Sequence, residues 1–311
     1  MWARNALAKW VPFLKAPPRS GSDFMSAQRA VDIAWLHKCL TSPAGEDGNT
    51  SGMADKDLED VVSQLVMQRT LEMFKMLRAN TPPSFGLEAR TSGLGSAAGD
   101  GLFVTARALQ PGEIVALYPG TVFFAEELEF FGGVSGIFCD EETSHFIVRN
   151  ADGVLIDGLG KTLPLKSGSG ALAPSDGGDN EGSSITEMLD RIQHLTGHDG
   201  ISRPCKSSST ANAYAMAHKA NHPPPGTPAN VIPVPVDFDL AMLKAEGLCE
   251  FLPTSFALEP TAGESLLCEH SICFVASRTI RPEEEVWLDY RTNPDSRPQW
   301  YVDAERVPYE N

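Results

Sequence analysis

A mainly β domain with some α structure, preceded by an N-terminal helical region, is the fold class that this sequence predicts. Two observations carry it. Two helical stretches occupy residues 1–82 and stop at Pro82 and Pro83, whereas from Phe85 onward the apolar residues fall into short runs punctuated by glycine and proline, the pattern of strands and turns. The chain is therefore divided into a helical region at 1–82, a main domain at 83–293 with an internal insertion, and a tail at 294–311. At 311 residues it is long enough for one substantial domain plus an appendage, and a body of that size buries about three quarters of the surface of its unfolded chain.

The first helical stretch runs from Asp23 to Leu40, with Phe24, Ala27, Val31, Ala34 and Trp35 on one side. The second runs from Asp55 to Ala79 and carries Leu58, Val61, Val62, Leu65, Val66, Leu71, Met73, Phe74 and Leu77 in an amphipathic pattern, with Asp55 suited to cap it and the two prolines to end it. Ser42 to Gly52 is a polar loop between them. In the main domain, Leu102 to Ala106 and Ile114 to Tyr118 flank a Gln110-Pro111-Gly112 turn, and Phe146 to Arg149 and Val154 to Asp157 flank an Asp152-Gly153 turn, the second being a strong hairpin signal. Lys166 to Ser184 is glycine- and serine-rich and is expected to be disordered, since it holds too little apolar surface to offset ordering entropy. Ser209 to Lys219 is expected as a short alanine-rich helix, followed by strand runs at Val231 to Val236, Ile272 to Ala276 and Val286 to Tyr290.

Residues 1–22 carry Arg4, Lys9, Lys15 and Arg19 without an acid, leaving 21 basic against 41 acidic side chains in the rest of the chain. So acidic a body repels a phosphate backbone, which excludes direct nucleic-acid binding as the expected role. It attracts a basic protein, although solubility alone accounts for the same acidity. The basic start, with Trp2, Leu7, Trp10, Phe13 and Leu14 at helical spacing, suits a mitochondrial-type targeting segment or a helix docked on the domain. The six cysteines lack paired spacing and are expected as free thiols in a reducing, intracellular compartment, cytoplasm or nucleus. No apolar run approaches the roughly 18 residues of a membrane span, so no membrane association is expected.

Glycine-x-glycine occurs four times, beginning at Gly93, Gly99, Gly158 and Gly168, and is weak evidence by itself. A dinucleotide-binding version is excluded, because a β hairpin rather than a helix is expected after it. Gly99-Asp100-Gly101-Leu102 gains weight from the ordered landmarks C-terminal to it: the Pro111-Gly112 turn, Tyr118-Pro119-Gly120, Asn221-His222, Asn230, and Glu284-Glu285-Val286-Trp287-Leu288-Asp289-Tyr290. This succession resembles the SET domain of protein-lysine methyltransferases. Within that family, Leu102 to Thr105, Val115 to Val122, Asp152 to Gly158 and Ala229 to Val231 resemble the SET domain-containing protein 9 group.

The resemblance covers roughly 86–291 and implies a β-clip fold with knot-like C-terminal threading. It also implies S-adenosyl-L-methionine as cofactor and methylation of a lysine on a protein that is basic around its target. By position it implies cofactor contacts at Gly99, Asp100, Gly101, Leu102, Asn221 and His222, and catalytic roles at Tyr290, facing the transfer path, and Tyr118, lining the pocket. The chemistry suits those residue types. A lysine amine has a reference pKa of about 10.4, so presenting it neutral at pH 7 costs roughly 4 to 5 kcal/mol unless the site lowers that pKa. A narrow aromatic channel does so by desolvation, and transfer then needs alignment more than a strong base.

The chain departs from the family pattern at three places. Pro223-Pro224-Pro225 replaces the residues that usually follow asparagine-histidine, fixing dihedrals and removing three amide donors. Glu283 stands where a glycine opens the last motif, so that turn is expected to use another conformation. No cysteine follows Tyr290, so no zinc cluster is expected after the domain. The segment Arg297 to Tyr301 either closes the lysine channel in its stead or is an exposed tail. Cys268, His270 and Cys273 lie close together and His218 and His222 are four apart, yet four compact ligands are lacking, and Cys268 and Cys273 suit the start of a buried strand. No metal is assigned. The first two departures keep open a second reading, a catalytically inactive SET-fold binding or scaffold module.

Overall fold

The computed structural model describes residues 22–41, 55–123, 147–149, 155–158, 212–256, 268–291 and 300–305. The expected turn at Asp152-Gly153, the segments 1–21, 42–52 and 166–184, and residues 297–299 lie outside them. The chain forms two compact units, one of residues 1–13, 120–208 and 254–269, the other of 14–119, 209–253 and 270–311. Small, mostly antiparallel sheets with a few helices make up the architecture, consistent with the mainly β expectation. Among the described residues no helix is long and apolar enough to cross a membrane.

In the first unit, β4 (Gly120–Phe123), β5 (Ile147–Arg149), β6 (Leu155–Asp157) and β8 (Thr254–Phe256) form one sheet in the order β5-β6-β4-β8. The β5-β6 pair is antiparallel, with Val148 opposite Ile156, as its turn signal predicts. Gly120 has φ 140, and a Cβ there would lie 2.0 Å from the Asp157 carbonyl oxygen. Glycine is thus required where β4 leaves Tyr118-Pro119.

The second unit opens with α1 (Ser22–Thr41) and α2 (Asp55–Arg78). Asn80, at φ 53, ends α2: its amide donates to the Leu77 carbonyl and that of Thr81 to the Met76 carbonyl, a left-handed cap that satisfies carbonyls the helix leaves open. The buried side of α2 follows expectation at Leu58, Val62, Val66, Leu71, Met73 and Phe74, while Val61, Leu65 and Leu77 are partly exposed. That of α1 does not. Ile33, Leu36 and Leu40 are buried, whereas Val31 of the expected stripe is 51% exposed and Ala34 is also exposed. Apolar residues surround this helix, so periodicity selects no face. Polar anchors choose it instead: Trp35 Nε1 donates to the Ser277 carbonyl at 2.7 Å, and Arg29 bonds Glu59 and the Pro233 carbonyl.

β1 (Gly86–Thr91) and β2 (Asp100–Thr105) pair antiparallel. β3 (Ile114–Leu117), β9 (Cys268–Ala276) and β7 (Val231–Asp239) form a sheet in the order β3-β9-β7. Between β2 and β3, the Glu113 amide donates to the Gln110 carbonyl and Gly112 has φ 84, a type II turn built on the predicted Pro-Gly pair. β7 tolerates Pro233 and Pro235 because it is an edge strand. Its outer carbonyls are covered by the helices: Arg29 Nη1 donates to Pro233 and Ser63 Oγ to Pro235, each at 2.7 Å.

The expected helix at Ser209 to Lys219 is corrected. Residues 212–219 contain only a 3-10 turn, Ala217–Lys219. Asn212 binds the Tyr214 amide and the Phe251 carbonyl through its side chain, and the Tyr214 hydroxyl donates to the Phe85 carbonyl at 2.8 Å. These bonds hold a turn at 212–215 in place of a helix, against alanine propensity. Sequence reading also missed α3 (Leu240–Ala245), whose signal is Asp239, an N-cap accepting from the amides of Ala241 and Met242. Cys39, Cys249 and Cys273 are free; burial pushes the Cys39 thiol up to about 11 and that of Cys273 to about 12.

The centre of this unit is Phe74, fully buried, with the Phe238 ring at 5.7 Å and the Phe251 ring at 6.1 Å. It joins α2 to β7. Phe74→Ala is expected to cost about 3 to 5 kcal/mol of stability, measured by denaturant unfolding, with the loss lying in the midpoint rather than the slope.

Candidate functional site

Glu283 to Tyr290 is the segment around which the expected site residues gather. Its backbone bonds β2 on one side: Glu283 N donates to Val104 O, Val104 N to Glu284 O, and Val286 N to Leu102 O at 2.7 Å. Further along, Leu288 N donates to Asn221 O at 2.9 Å, while the amides of Asn230 and Val231 donate to Trp287 O. Burial does not alternate along this segment as it does in a strand with one face open. Glu285, Val286, Trp287 and Leu288 are all buried, because neighbours cover both faces.

Asn230 fixes this segment from a buried position. Its Oδ1 accepts from Trp287 N at 2.7 Å and its Nδ2 donates to Glu285 O at 2.8 Å, so one amide side chain satisfies two backbone groups that a strand partner would otherwise serve. The triproline before it makes a defined turn. Thr227 N donates to Pro224 O and Gly226 has φ 79, a type II turn with Pro225 in the position that favours proline.

Asn221 Nδ2 donates to the Asp100 carbonyl at 3.1 Å and lies 3.3 Å from Glu285 Oε1. Two motifs about 120 positions apart are thus brought together. Lys219 Nζ is 3.5 Å from the Asp100 carboxylate. Gly99 has φ 69, and nothing lies within 4 Å of where its Cβ would be, leaving open backbone. Gly101 is different: a Cβ there would sit 2.0 Å from Glu285 Oε1. Leu102 is fully buried.

The three acids before the last motif have separate tasks. Arg90, stacked 4.0 Å over the Phe103 ring, bonds Glu283 at 2.5 Å; Arg278 pairs with Glu284 at 2.7 Å. Glu285, 5% exposed, accepts from Ser92 Oγ at 2.7 Å and from Gly93 N at 2.9 Å. Sequence reading did not single out Glu285; the small residues Ser92, Gly93 and Gly101 were the available signal. Glu283 corrects an expectation. At φ 67 it keeps a backbone that favours glycine, at a cost of about 1 kcal/mol, with its amide bonded to Val104 O of β2.

His222 uses both ring nitrogens. Nδ1 accepts from Tyr290 N at 3.3 Å, so Nε2 carries the proton and donates to Val302 O at 2.7 Å. Tyr301, 8% exposed, stacks on the imidazole at 4.4 Å and donates to Asp289 Oδ1. Trp300 stands edge-on to Tyr290 at 6.5 Å and is 56% exposed. Of the two tail aromatics, Tyr301 is therefore packed and Trp300 exposed. The Tyr290 hydroxyl donates to Ala220 O at 3.1 Å, and burial pushes it up to about 12. Tyr118, buried, packs its ring 6.1 Å from Phe274. Cys268 opens β9 and Cys273 is buried within it, its thiol 3.4 Å from Thr70 Oγ1, while His270 faces Asp237 at 2.6 Å.

The chain is 40% identical over 79 residues to SET domain-containing protein 9 of Pongo abelii and to that of Homo sapiens. The match is 25% of this chain and 26% and 23% of those proteins, so it spans about a quarter of the curated relatives' length. No protein-family model matches the chain. The two matches support a SET-domain relationship.

Gly101→Ala and Glu285→Ala are each expected to destabilise, by about 2 to 3 kcal/mol where bonds to the charged carboxylate are lost. The double variant should lose less than the two costs added together, because the alanine methyl collides with the carboxylate that the second change removes. A denaturation cycle on the four proteins measures this. His218, largely buried, is held down at about 4 by that burial. Its unfolded form takes up a proton first, so its contribution is present above about 6.5 and is lost as pH falls toward 4. His218→Gln should flatten the melting-temperature profile in that window.

Proposed function

We propose, on the premise of the SET-domain relationship, that this chain transfers a methyl group from S-adenosyl-L-methionine to a lysine side chain of another protein. The observation that carries this reading is the convergence of three motifs. Asn221 bonds the Asp100 carbonyl, His222 receives the Tyr290 amide, and the Tyr290 ring lies 5.5 Å from the imidazole. The bonding of Glu283 to Leu288 with both β2 and 221–231 supports the β-clip fold with knot-like threading that the family implies.

Gly99, Asp100, Gly101, Leu102, Asn221 and His222 are the proposed cofactor contacts. The residues fit such a group: Gly99 leaves backbone open, and the Asn221 amide stands beside the Asp100 backbone carbonyl, an acceptor suited to a ligand bearing an ammonium. When bound, the cofactor supplies an electrophilic methyl group. Tyr290 and Tyr118 are the proposed catalytic residues, Tyr118 as a buried wall of the pocket.

Tyr290 holds rather than deprotonates. Its proton is directed to Ala220 O, which leaves its oxygen lone pairs to accept from a lysine amine and so orient the nitrogen. With the hydroxyl raised to about 12, it stays neutral through the physiological range and is not a general base. Burial among aromatics disfavours the charged amine and promotes its deprotonation. The partner is a protein substrate, and the acidic body favours one that is basic around its target lysine.

Folded Asn221→Ala should bind S-adenosyl-L-methionine at least tenfold more weakly, about 1.4 kcal/mol, by calorimetry; unchanged affinity removes the cofactor assignment. Tyr290→Phe should keep that affinity but lower turnover or alter the number of methyls added, with the same shape of pH–rate profile. Wild-type turnover and methyl number in this variant would remove the catalytic role.

A further inference from the structure

Helix α1 reaches the candidate site through one side chain. Asp32, 2% exposed, accepts from Gln28 Nε2 at 2.9 Å and forms an ion pair with the Arg291 guanidinium. Arg291 directly follows Tyr290, and its own backbone is in the left-handed region at φ 47. Glycine takes that conformation without strain. Arginine at this position is accounted for by what its side chain reaches: Asp32 on one side and, at 3.7 Å from Nε, the Asp289 carboxylate on the other.

The pair sits one residue from the hydroxyl that matters. Asp289 Oδ1 also accepts from Arg291 N at 3.1 Å and from the Tyr301 hydroxyl at 3.2 Å, and Tyr301 stacks on the His222 ring that receives the Tyr290 amide. Tyr290 is therefore held from its N-terminal side by Asp289 and His222, and from its C-terminal side by a guanidinium clamped between two carboxylates. A guanidinium brought close to Asp32 loses much of its water, so removing one partner leaves the other charge poorly solvated and the turn after Tyr290 without its anchor.

We infer that Asp32 of α1 is a positioning residue for Tyr290, acting through Arg291. The helical region before the β domain is then part of the transfer site's framework. This inference rests on the methyltransferase reading for its kinetic consequence, but its geometric consequence stands apart from that reading.

The test uses the full chain, labelled with 3-fluorotyrosine. With five tyrosines in the sequence, the Tyr290 fluorine resonance is assigned by its loss in Tyr290→Phe. Asp32→Asn removes the charge and keeps the shape; Asp32→Glu restores the charge; Arg291→Gly keeps the left-handed turn without the guanidinium. Cofactor affinity is read by calorimetry, and turnover by transfer of labelled methyl to a pool of basic single-lysine peptides. Asp32→Asn and Arg291→Gly should shift the Tyr290 resonance, lower kcat at least fivefold and leave cofactor Kd within twofold, and Asp32→Glu should recover part of the loss. A lowered melting temperature with an unmoved resonance and kcat within twofold of wild type would make the pair a stabilising contact alone and overturn the inference. If the wild-type chain transfers no methyl, the proposed function fails, and the fluorine resonance decides alone: a shift in both variants sustains the positioning role and an unmoved resonance ends it. Should Asp32→Asn fail to fold, Arg291→Gly carries the same comparison.

Discussion

A buried backbone must find partners for its amides and carbonyls, and the segment from Glu283 to Leu288 is where that constraint is most demanding. From Glu285 to Leu288 it is covered on both faces, so its backbone groups there need partners within the protein. β2 answers one stretch, through Val104 and Leu102, and the 221–231 loop answers the next, through Asn221, Asn230 and Val231. The rest of the site depends on this arrangement. Because the same strand-like segment is bonded to both, Gly99 to Leu102 and Asn221-His222 occupy fixed positions relative to each other and to Tyr290.

The charges follow from the same geometry. Three consecutive glutamates look like a solvated acidic run, yet they point to different surroundings and meet different partners. Arg90 and Arg278 hold the first two. The third is buried against Gly101, where a hydroxyl, two nitrogen donors and the missing side chain make room for a carboxylate. A second glycine in a Gly-x-Gly pair thus acts by admitting a protein side chain, while the first leaves its backbone open. The helical region contributes in the same way, supplying Arg29 and Ser63 to an edge strand broken by prolines and Asp32 to the turn after Tyr290.

Local chemistry was legible in the sequence wherever neighbours along the chain decide conformation. Pro-Gly pairs specify type II turns at 110–113 and, unexpectedly in the triproline, at 224–227. A long amphipathic run specifies α2, and an apolar pair of runs around Asp-Gly specifies the β5-β6 pairing. The order of small motifs was legible too, and it led to the SET-domain resemblance that the partial matches support.

Tertiary structure decided what local rules leave degenerate. Apolar on every side, α1 has no periodic face, and Trp35, Arg29 and Asp32 select one by reaching distant carbonyls and a guanidinium. Alanine propensity at 212–219 yields to Asn212 and Tyr214, whose bonds run to Phe251 and Phe85. Glu283 adopts a glycine-like backbone because Arg90 and β2 hold it there. Propensity is a difference of about 1 kcal/mol per residue, and a few long-range hydrogen bonds in a buried setting outweigh it; sequence separation hides those partners, and folding alone reveals them.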